Sequence, residues 1–319
     1  MRRSFDSQPA LFATPALLDH PALQALDEVE ALIDWSRLEP LLPQGRGCTG
    51  RPGWPAMTLF RALLLGLWHD LSDVKLEAQL ARDLVFRRFC RLELDQAPPQ
   101  ASALGRFRME LEREGRLQTL LEEINAGLAE AGVVLEEGRV AIVDATVVEA
   151  ARSRRSTADP EAGSRVKLDG QGRRKAVWGW QAFVNADEDG FIHATALSPG
   201  NRHEIRSLHR LMRGGETQLY ADAAYSAGWV RRALARAGVA DRVQRKGYRN
   251  RPLGAADRAR NKAIAVTRGR VEAIFGALKR SWGLARTRFL GEARNAAQLA
   301  LTAIAWNLRK GATLRRSGA

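Results

Sequence analysis

The run Arg139-Val140-Ala141-Ile142-Val143-Asp144-Ala145-Thr146-Val147-Val148 constrains this chain more than any other stretch. It is short and rich in β-branched residues, which reads as a buried strand. One carboxylate is set into it. A buried acid is costly unless it is paired or binds a cation. Alone, Asp144 would read as a strand-end carboxylate capping a turn. Two acids further on change that weighing. Asp222 ends a second apolar strand, and Glu272 lies on a basic helix. The chain is expected to bring the three together.

The 319 residues suffice for a well-buried core, in one large domain or two smaller ones. No apolar run is long enough for a membrane span, and the start, Met1 to Asp6, lacks the apolar centre of a signal peptide. Cys48 and Cys90 lie far apart, which supports neither a disulfide framework nor a zinc site and fits a reducing cytoplasm. Charge is more informative. Residues 1–138 hold 15 Lys+Arg against 21 Asp+Glu, net −6, and residues 139–319 hold 35 against 15, net +20. A cationic half that also carries the three acids points to a polyanion, most simply nucleic acid. An anionic membrane surface would want one basic amphipathic helix, whereas here the charge recurs through strands, loops and helices.

Residues 1–24 show weak pattern and read as a poorly ordered arm. Residues 25–138 read as an all-helical module. Leu26, Val29, Ile33 and Leu38 predict a helix from Ala25 to Leu42, stopped by Pro40 and Pro43. From Pro55 a helix apolar on most faces (Phe60, Leu63, Leu64, Leu67) is central to the module. Ser72 is an N-cap candidate for the next helix, and Ser102 for one from Ala103 to Leu121 and beyond, ended by Gly132. Arg106 and Arg108 on that last helix fit a recognition helix, but interleaved Glu110, Glu112 and Glu114 favour a solvated charged face.

After Gly138 strands alternate with helices, so residues 139–312 read as mixed α/β. Ala151 to Lys175 reads as a basic flexible loop whose Arg152, Arg154, Arg155, Arg173, Arg174 and Lys175 could track phosphates. Trp178, Trp180, Ala182 and Val184 alternate along a strand, which favours core over base stacking. Asp187 to Gly190 is a hairpin turn. A helix is expected from His203 to Met212, with His203 in a local hydrogen-bonding role. Thr217 to Asp222 is a strand ending in an acid, and such strand ends lie on the working edge of mixed sheets. Asp241 to Lys246 is a last strand, followed by a basic loop with Arg249 and Arg251.

A long helix from Ala256 to about Trp282 closes the series. Val271, Ile274 and Leu278 form its core stripe, and Arg268, Glu272 and Lys279 form a second stripe about one residue step round. Glu272 among cations reads as a surface ion pair or as a metal ligand held beside polyanion-binding groups. Carboxylates holding two Mg²⁺ are what phosphodiester chemistry needs, one ion activating a nucleophile and the other stabilising the leaving oxygen.

Ile142-Val143-Asp144-Ala145-Thr146, then Tyr220-Ala221-Asp222-x-x-Tyr225, then Arg268-x-x-x-Glu272 with Lys279, resemble in order the three catalytic blocks of DDE transposases of bacterial insertion sequences, of the insertion-sequence-five type. Pro199-Gly200-Asn201-x-His203-Glu204 resembles the segment between the first two blocks. Gly53 to Leu121, with Leu104-Gly105-Arg106-Phe107-Arg108, resembles that group's helical N-terminal domain. Two positions depart from the pattern. Ala265 stands where a Tyr precedes the Arg, leaving no tyrosine there for a hairpin or flipped-base step, and Ala223-Ala224 replaces a Lys-Gly pair.

The resemblance implies a ribonuclease-H-like core with a mixed five-stranded sheet, preceded by an all-helical N-terminal domain. It implies Asp144, Asp222 and Glu272 as ligands of two Mg²⁺, with Mn²⁺ able to substitute, and phosphate contacts by Arg268 and Lys279, with Arg270 on the same helix added to that set. The implied activity is nicking of element ends in double-stranded DNA, then strand transfer, by at least a homodimer in the nucleoid-associated cytoplasm. Two alternatives stay open: a non-catalytic DNA-binding regulator that keeps the fold, and a metal-dependent nuclease without strand transfer.

Overall fold

The computed structural model describes residues 26–44, 53–133, 140–151, 158–168 and 171–318. The expected arm, Cys48, Arg152, Arg154 and Arg155 lie outside the described residues. The stretch expected as one helix from Ala25 is two pieces: α1 (Asp27–Glu30) and a 3-10 turn (Trp35–Leu41). Asp34 starts the turn by accepting from Ser36 N at 3.0 Å. Pro40 sits inside it and has no N–H for an α-helical bond. Helix α2 (Ala56–Trp68) is buried on most sides, as its sequence predicts, with Phe60, Ala62, Leu64 and Leu65 fully enclosed. Ser72 Oγ caps α3 (Asp73–Arg82), accepting from Lys75 N at 3.3 Å. Then come α4 (Leu84–Phe89), α5 (Ala101–Glu114) and α6 (Leu117–Glu130). The single helix expected from Ala103 is divided because Gly115 takes φ 66°, a left-handed position that ends α5. Gln100, not Ser102, occupies the N-cap of α5.

The strands are β1 (Val140–Glu149), β2 (Gly163–Leu168), β3 (Arg174–Ala186), β4 (Ile192–Pro199), β5 (Gln218–Ala221) and β6 (Ala240–Val243). They form one mixed sheet in the order β2-β3-β1-β5-β6, with β4 also on β3. β3 is antiparallel to β1, β2 and β4, whereas β1, β5 and β6 run parallel. β2 lies where a loop was expected: Gly163 to Leu168 pairs with Arg174 to Gly179 and adds a strand to the five anticipated. Its apolar content is too small to announce a strand, and backbone pairing with β3 supplies what side-chain burial does not.

The remaining helices are α7 (Leu208–Leu211), α8 (Gly228–Arg236), α9 (Ala255–Ser281) and α10 (Glu292–Gly318). The helix expected from His203 is a 3-10 turn (Glu204–Ser207) running into the short α7. Helix α10 joins the two parts of the chain. One continuous apolar cluster takes Leu64 from α2, Ile124 from α6, Ile142 and Val184 from the sheet, Leu278 from α9, and Ile304 and Leu308 from α10. Burial of each such side chain contributes about 1.5–3 kcal/mol. Within it the fully buried Asn307 donates to Asn125 Oδ1 and to Ile192 O, both at 2.7 Å, and accepts from Ile192 N at 2.9 Å. Trp68 Nε1 donates to Ala305 O at 2.8 Å. The other sheet face packs Val143, Phe183 and Leu219 against Leu234 of α8.

Candidate active site

The parallel register of β1 and β5 sets the centre. Ile142 pairs with Tyr220, so two residues on, Asp144, midway along β1, stands level with Asp222, just past the end of β5. Ile142, Asp144 and Thr146 share one face of β1, since side chains alternate along a strand, and α9 packs on that strand. Val271, Ile274 and Leu278 anchor α9 in the core, which turns Arg268 and Lys279 towards β1, with Glu272 one turn on from Arg268.

Asp144 is buried. Ala145 N donates to its Oδ1 at 2.9 Å, and the Arg268 guanidinium meets its Oδ2 at 3.0 Å. Burial pushes the Asp144 pKa up; the neighbouring Asp222 adds to that rise and Arg268 opposes it. Arg268 is itself 9% exposed, reaches Glu272 at 4.0 Å and donates to Gln244 Oε1 at 3.3 Å. Asp222 caps the 3-10 turn Ala223–Tyr225, accepting from Ala224 N at 2.8 Å. Glu272 is mostly exposed, at 63%. Lys279 Nζ donates to Thr146 Oγ1 and, at 3.0 Å, to Val147 O, beside Asp144 on β1.

The structure thus sets Asp144 and Asp222 side by side and ties Glu272 to them through one arginine. Among the described residues no group of three His, Cys, Asp or Glu stands close enough to hold a metal ion as arranged. The donor chemistry still suits a hard divalent cation. All three ligand candidates offer carboxylate oxygen, and Asp144 and Asp222 face each other with like charge in a setting where Asp144 is penalised for ionising.

Two residues without a site role in the sequence reading, Glu204 of the Pro199–Glu204 motif and Arg165, also stand near this centre. Glu204, on the turn after β4, is pushed up in pKa by burial first, then by Asp222 and Asp144, against Arg165. Arg165 of β2 forms its ion pair. The local backbone permits this. A Cβ on Gly179 would lie 2.0 Å from Val148 O, and one on Gly200 would lie 2.5 Å from Gly163 O. Glycine at both positions lets β1, β2, β3 and the Pro199-Gly200-Asn201 turn approach closely. Arg165 was obscured by its polar surroundings; the mirrored pair of short runs about the Gly170-x-Gly172 segment was the available signal.

The other cation candidates divide. Arg108 is committed inside the protein, to Asp73 at 2.9 and 2.8 Å and over the Phe289 ring at 5.0 Å. Arg106 is exposed on α5, as are Arg173, Arg174 and Lys175 at the β2–β3 turn, Arg249 and Arg251 on the loop after β6, and Arg270 on α9. Trp180 is fully buried as expected, but Trp178 is 44% exposed. It lies past the cluster of Trp180, Val148 and Leu299, with its indole N–H given to Asp159 O at 2.9 Å.

The fold is that of a ribonuclease-H-like core with an added strand, and its paired acids sit level just past the last paired residues of two parallel strands. A transposase DDE domain matches residues 136–308, and a second transposase domain of uncharacterised type (DUF772) matches residues 18–110. The chain belongs to the DDE transposase family. That makes it a DNA transposase by class, tied to DNA transposition and recombination of an insertion sequence. No solved structure matches the chain. Among the described residues no helix is long and apolar enough to cross a membrane.

Proposed function

We propose that this chain is the transposase of an insertion-sequence-five-type element. It binds the terminal inverted repeats, cleaves the ends and joins the freed 3′-hydroxyl strand to target DNA. The observation that carries the reading is the pair Asp144 and Asp222, level on parallel strands, with Arg268 linking Asp144 to Glu272. Asp144, Asp222 and Glu272 would hold the divalent ions, Mg²⁺ or Mn²⁺, whose chemistry is activation of water or a 3′-hydroxyl and stabilisation of the leaving oxygen. The chain's own residues do the rest. Arg268 holds Asp144 in place and offsets its charge before the ions arrive. Lys279, held by Thr146 and Val147 O beside Asp144, presents positive charge where the scissile phosphate must lie. The exposed Arg106, Arg174, Lys175, Arg249, Arg251 and Arg270 contribute to the phosphate-tracking surface. Residues 25–138 form the helical DNA-binding and dimerisation unit and residues 139–312 the catalytic one. Joining two ends calls for a homodimer in the DNA complex.

The test is cleavage of a labelled duplex carrying the element's own ends, with Mg²⁺, by wild type and Asp144→Ala. Cleavage at the ends that needs both Mg²⁺ and Asp144, followed by joining to a second duplex, is the expected result. Cleavage without joining would leave a plain nuclease. Salt-sensitive binding with no cleavage by either protein would leave a DNA-binding regulator.

A further inference from the structure

Trp178 belongs neither to the core nor to the proposed DNA chemistry. Antiparallel pairing of β3 with β1 sets Val184 opposite Asp144, Ala182 opposite Thr146 and Trp180 opposite Val148, and Ala150 N continues the register by donating to Trp178 O at 3.0 Å. Directly opposed residues share a sheet face, so Trp178 lies on the face that carries Asp144, level with Ala150. At about 3.3 Å per residue along β1 that is roughly 20 Å from Asp144. Leu299 of α10 packs on Trp180 and Val148, whereas Trp178 stays 44% exposed. The ring is nonetheless fixed. Its indole N–H is given to Asp159 O at 2.9 Å, and the buried Asp159 carboxylate accepts from Glu161 N at 3.2 Å and Gly291 N at 2.9 Å. Ala150, Ala158, Ala176 and Ala285 are short neighbours, and they leave a groove of about 700 Å³ beside the ring, within the ~300–1,000 Å³ of small-ligand sites. Lys175 and Lys279 line it too, while its Glu149 is paired with Arg286 at 2.8 Å, so the groove is net positive. Lys279 is held at Val147 O, which starts the groove about 10 Å along β1 from Asp144.

A fixed, exposed aromatic ring with open space and cations beside it suits a nucleotide: the ring stacks the base and the cations take the phosphate. In a duplex the neighbours of each base cover its faces, so only an unstacked nucleotide has one to offer. We propose that this groove takes an unpaired nucleotide of the element-end strand, its base stacked on Trp178 and its phosphate beside Lys175. The groove's span of about 10–20 Å from Asp144 places that nucleotide about three to six steps of ~3.4 Å from the cleavage point. The inference rests on the transposase reading for the DNA strand at Asp144, and on nothing about cation binding.

The test is equilibrium binding of the full chain, in EDTA, to a fluorescein-labelled partial duplex of the element's end. The duplex is single-stranded from the cleavage point onwards, and one abasic site is moved along that strand. Wild type is expected to lose affinity by about 5- to 150-fold when the abasic site falls at one or two positions within the stated distance, the loss typical of one stacked base. Trp178→Ala should bind the intact strand more weakly by the same factor and be indifferent to the abasic site. Trp178→Phe should restore most of the affinity and the abasic sensitivity together, which keeps the proposal testable where Trp178→Ala melts early. Lys175→Ala should lower the slope of log affinity against log salt by about 0.7, wherever the abasic site lies. If wild type and Trp178→Ala give the same profile along the strand, the groove holds no base and the proposal is overturned; preference of both for the element's end over unrelated DNA then leaves the transposase reading standing. If neither protein prefers the end, that reading falls with it.

Discussion

Replacing Arg268 by Met keeps most of the side-chain stem and removes its charge. The Asp144 carboxylate would then be buried without its 3.0 Å partner, and the side chains of the pair are only 10% and 13% exposed. Breaking a buried ion pair from one side costs about 3–5 kcal/mol, because the remaining charge is uncompensated. In a chain of this length 1 kcal/mol corresponds to about 1.5 °C in Tm, so Arg268→Met should melt roughly 5–7 °C below wild type in EDTA. The assay is urea and thermal unfolding of wild type, Arg268→Met, Asp144→Asn and the double variant, each with and without excess Mg²⁺. The double variant should recover most of the loss, since no buried charge is left alone. Mg²⁺ should restore stability to Arg268→Met and not to the double variant. If the double variant is as unstable as Arg268→Met, the loss comes from packing of the arginine stem, and Arg268 does not act by offsetting Asp144.

Asp144 also sets a pH dependence. Its folded pKa is raised, so the folded state holds the proton more tightly than the unfolded chain. Its contribution to stability is complete in acid, below the ordinary carboxylate range, and is lost as pH rises through the raised folded value. In metal-free urea titrations the stability of wild type minus that of Asp144→Asn should therefore fall as pH rises through that window; a difference that grows would show the opposite shift. Asn307→Ala strips partners from Ile192 N and Asn125 and should cost about 3–5 kcal/mol by loss of buried hydrogen bonds, read as a urea midpoint shift at unchanged m-value. Gly179→Ala drives a Cβ to 2.0 Å from Val148 O, so it should lose folded yield on expression, whereas Gly254→Ala, with open space around it, should express like wild type. Arg249→Ala with Arg251→Ala should lower the slope of log affinity against log salt for end duplexes by about 2, near 0.9 for each phosphate no longer neutralised; an unchanged slope would remove this loop from the DNA surface.

Much of the sheet was legible because burial writes itself into β-branched runs. The strands carrying Asp144 and Asp222, and the α9 stripe of Val271, Ile274 and Leu278, follow directly from periodicity. The breaks at Asp34 and Gly115 were harder, since local turn chemistry competes there with an unbroken helical pattern. β2 was hidden because it is held by backbone pairing to β3 and has little apolar content. The role of α10 could not be read from its own periodicity, because its partners lie far back in the chain, from Ile192, which accepts from Asn307 across 115 residues, to Trp68, which donates to Ala305 O across 237. Within the site, identities were legible and partnerships were not. The sequence marks Arg268 and Asp144 as separate motif residues, but only the fold shows that one neutralises the other, or that Glu204 leans on Arg165.

Helix α10 has a consequence in time. It supplies Ile304, Leu308 and Asn307 to a core that the α2 and α6 residues share. A ribosome translating this chain has released the first helices and the whole sheet before those side chains exist, so the nascent protein waits with its central apolar surface uncovered. A message cut short before about residue 308 yields a product that cannot close its interior, although Asp144, Asp222 and Glu272 are all present. Closure of the interior is in this sense conferred by α10, and comes only after the whole sheet has been made.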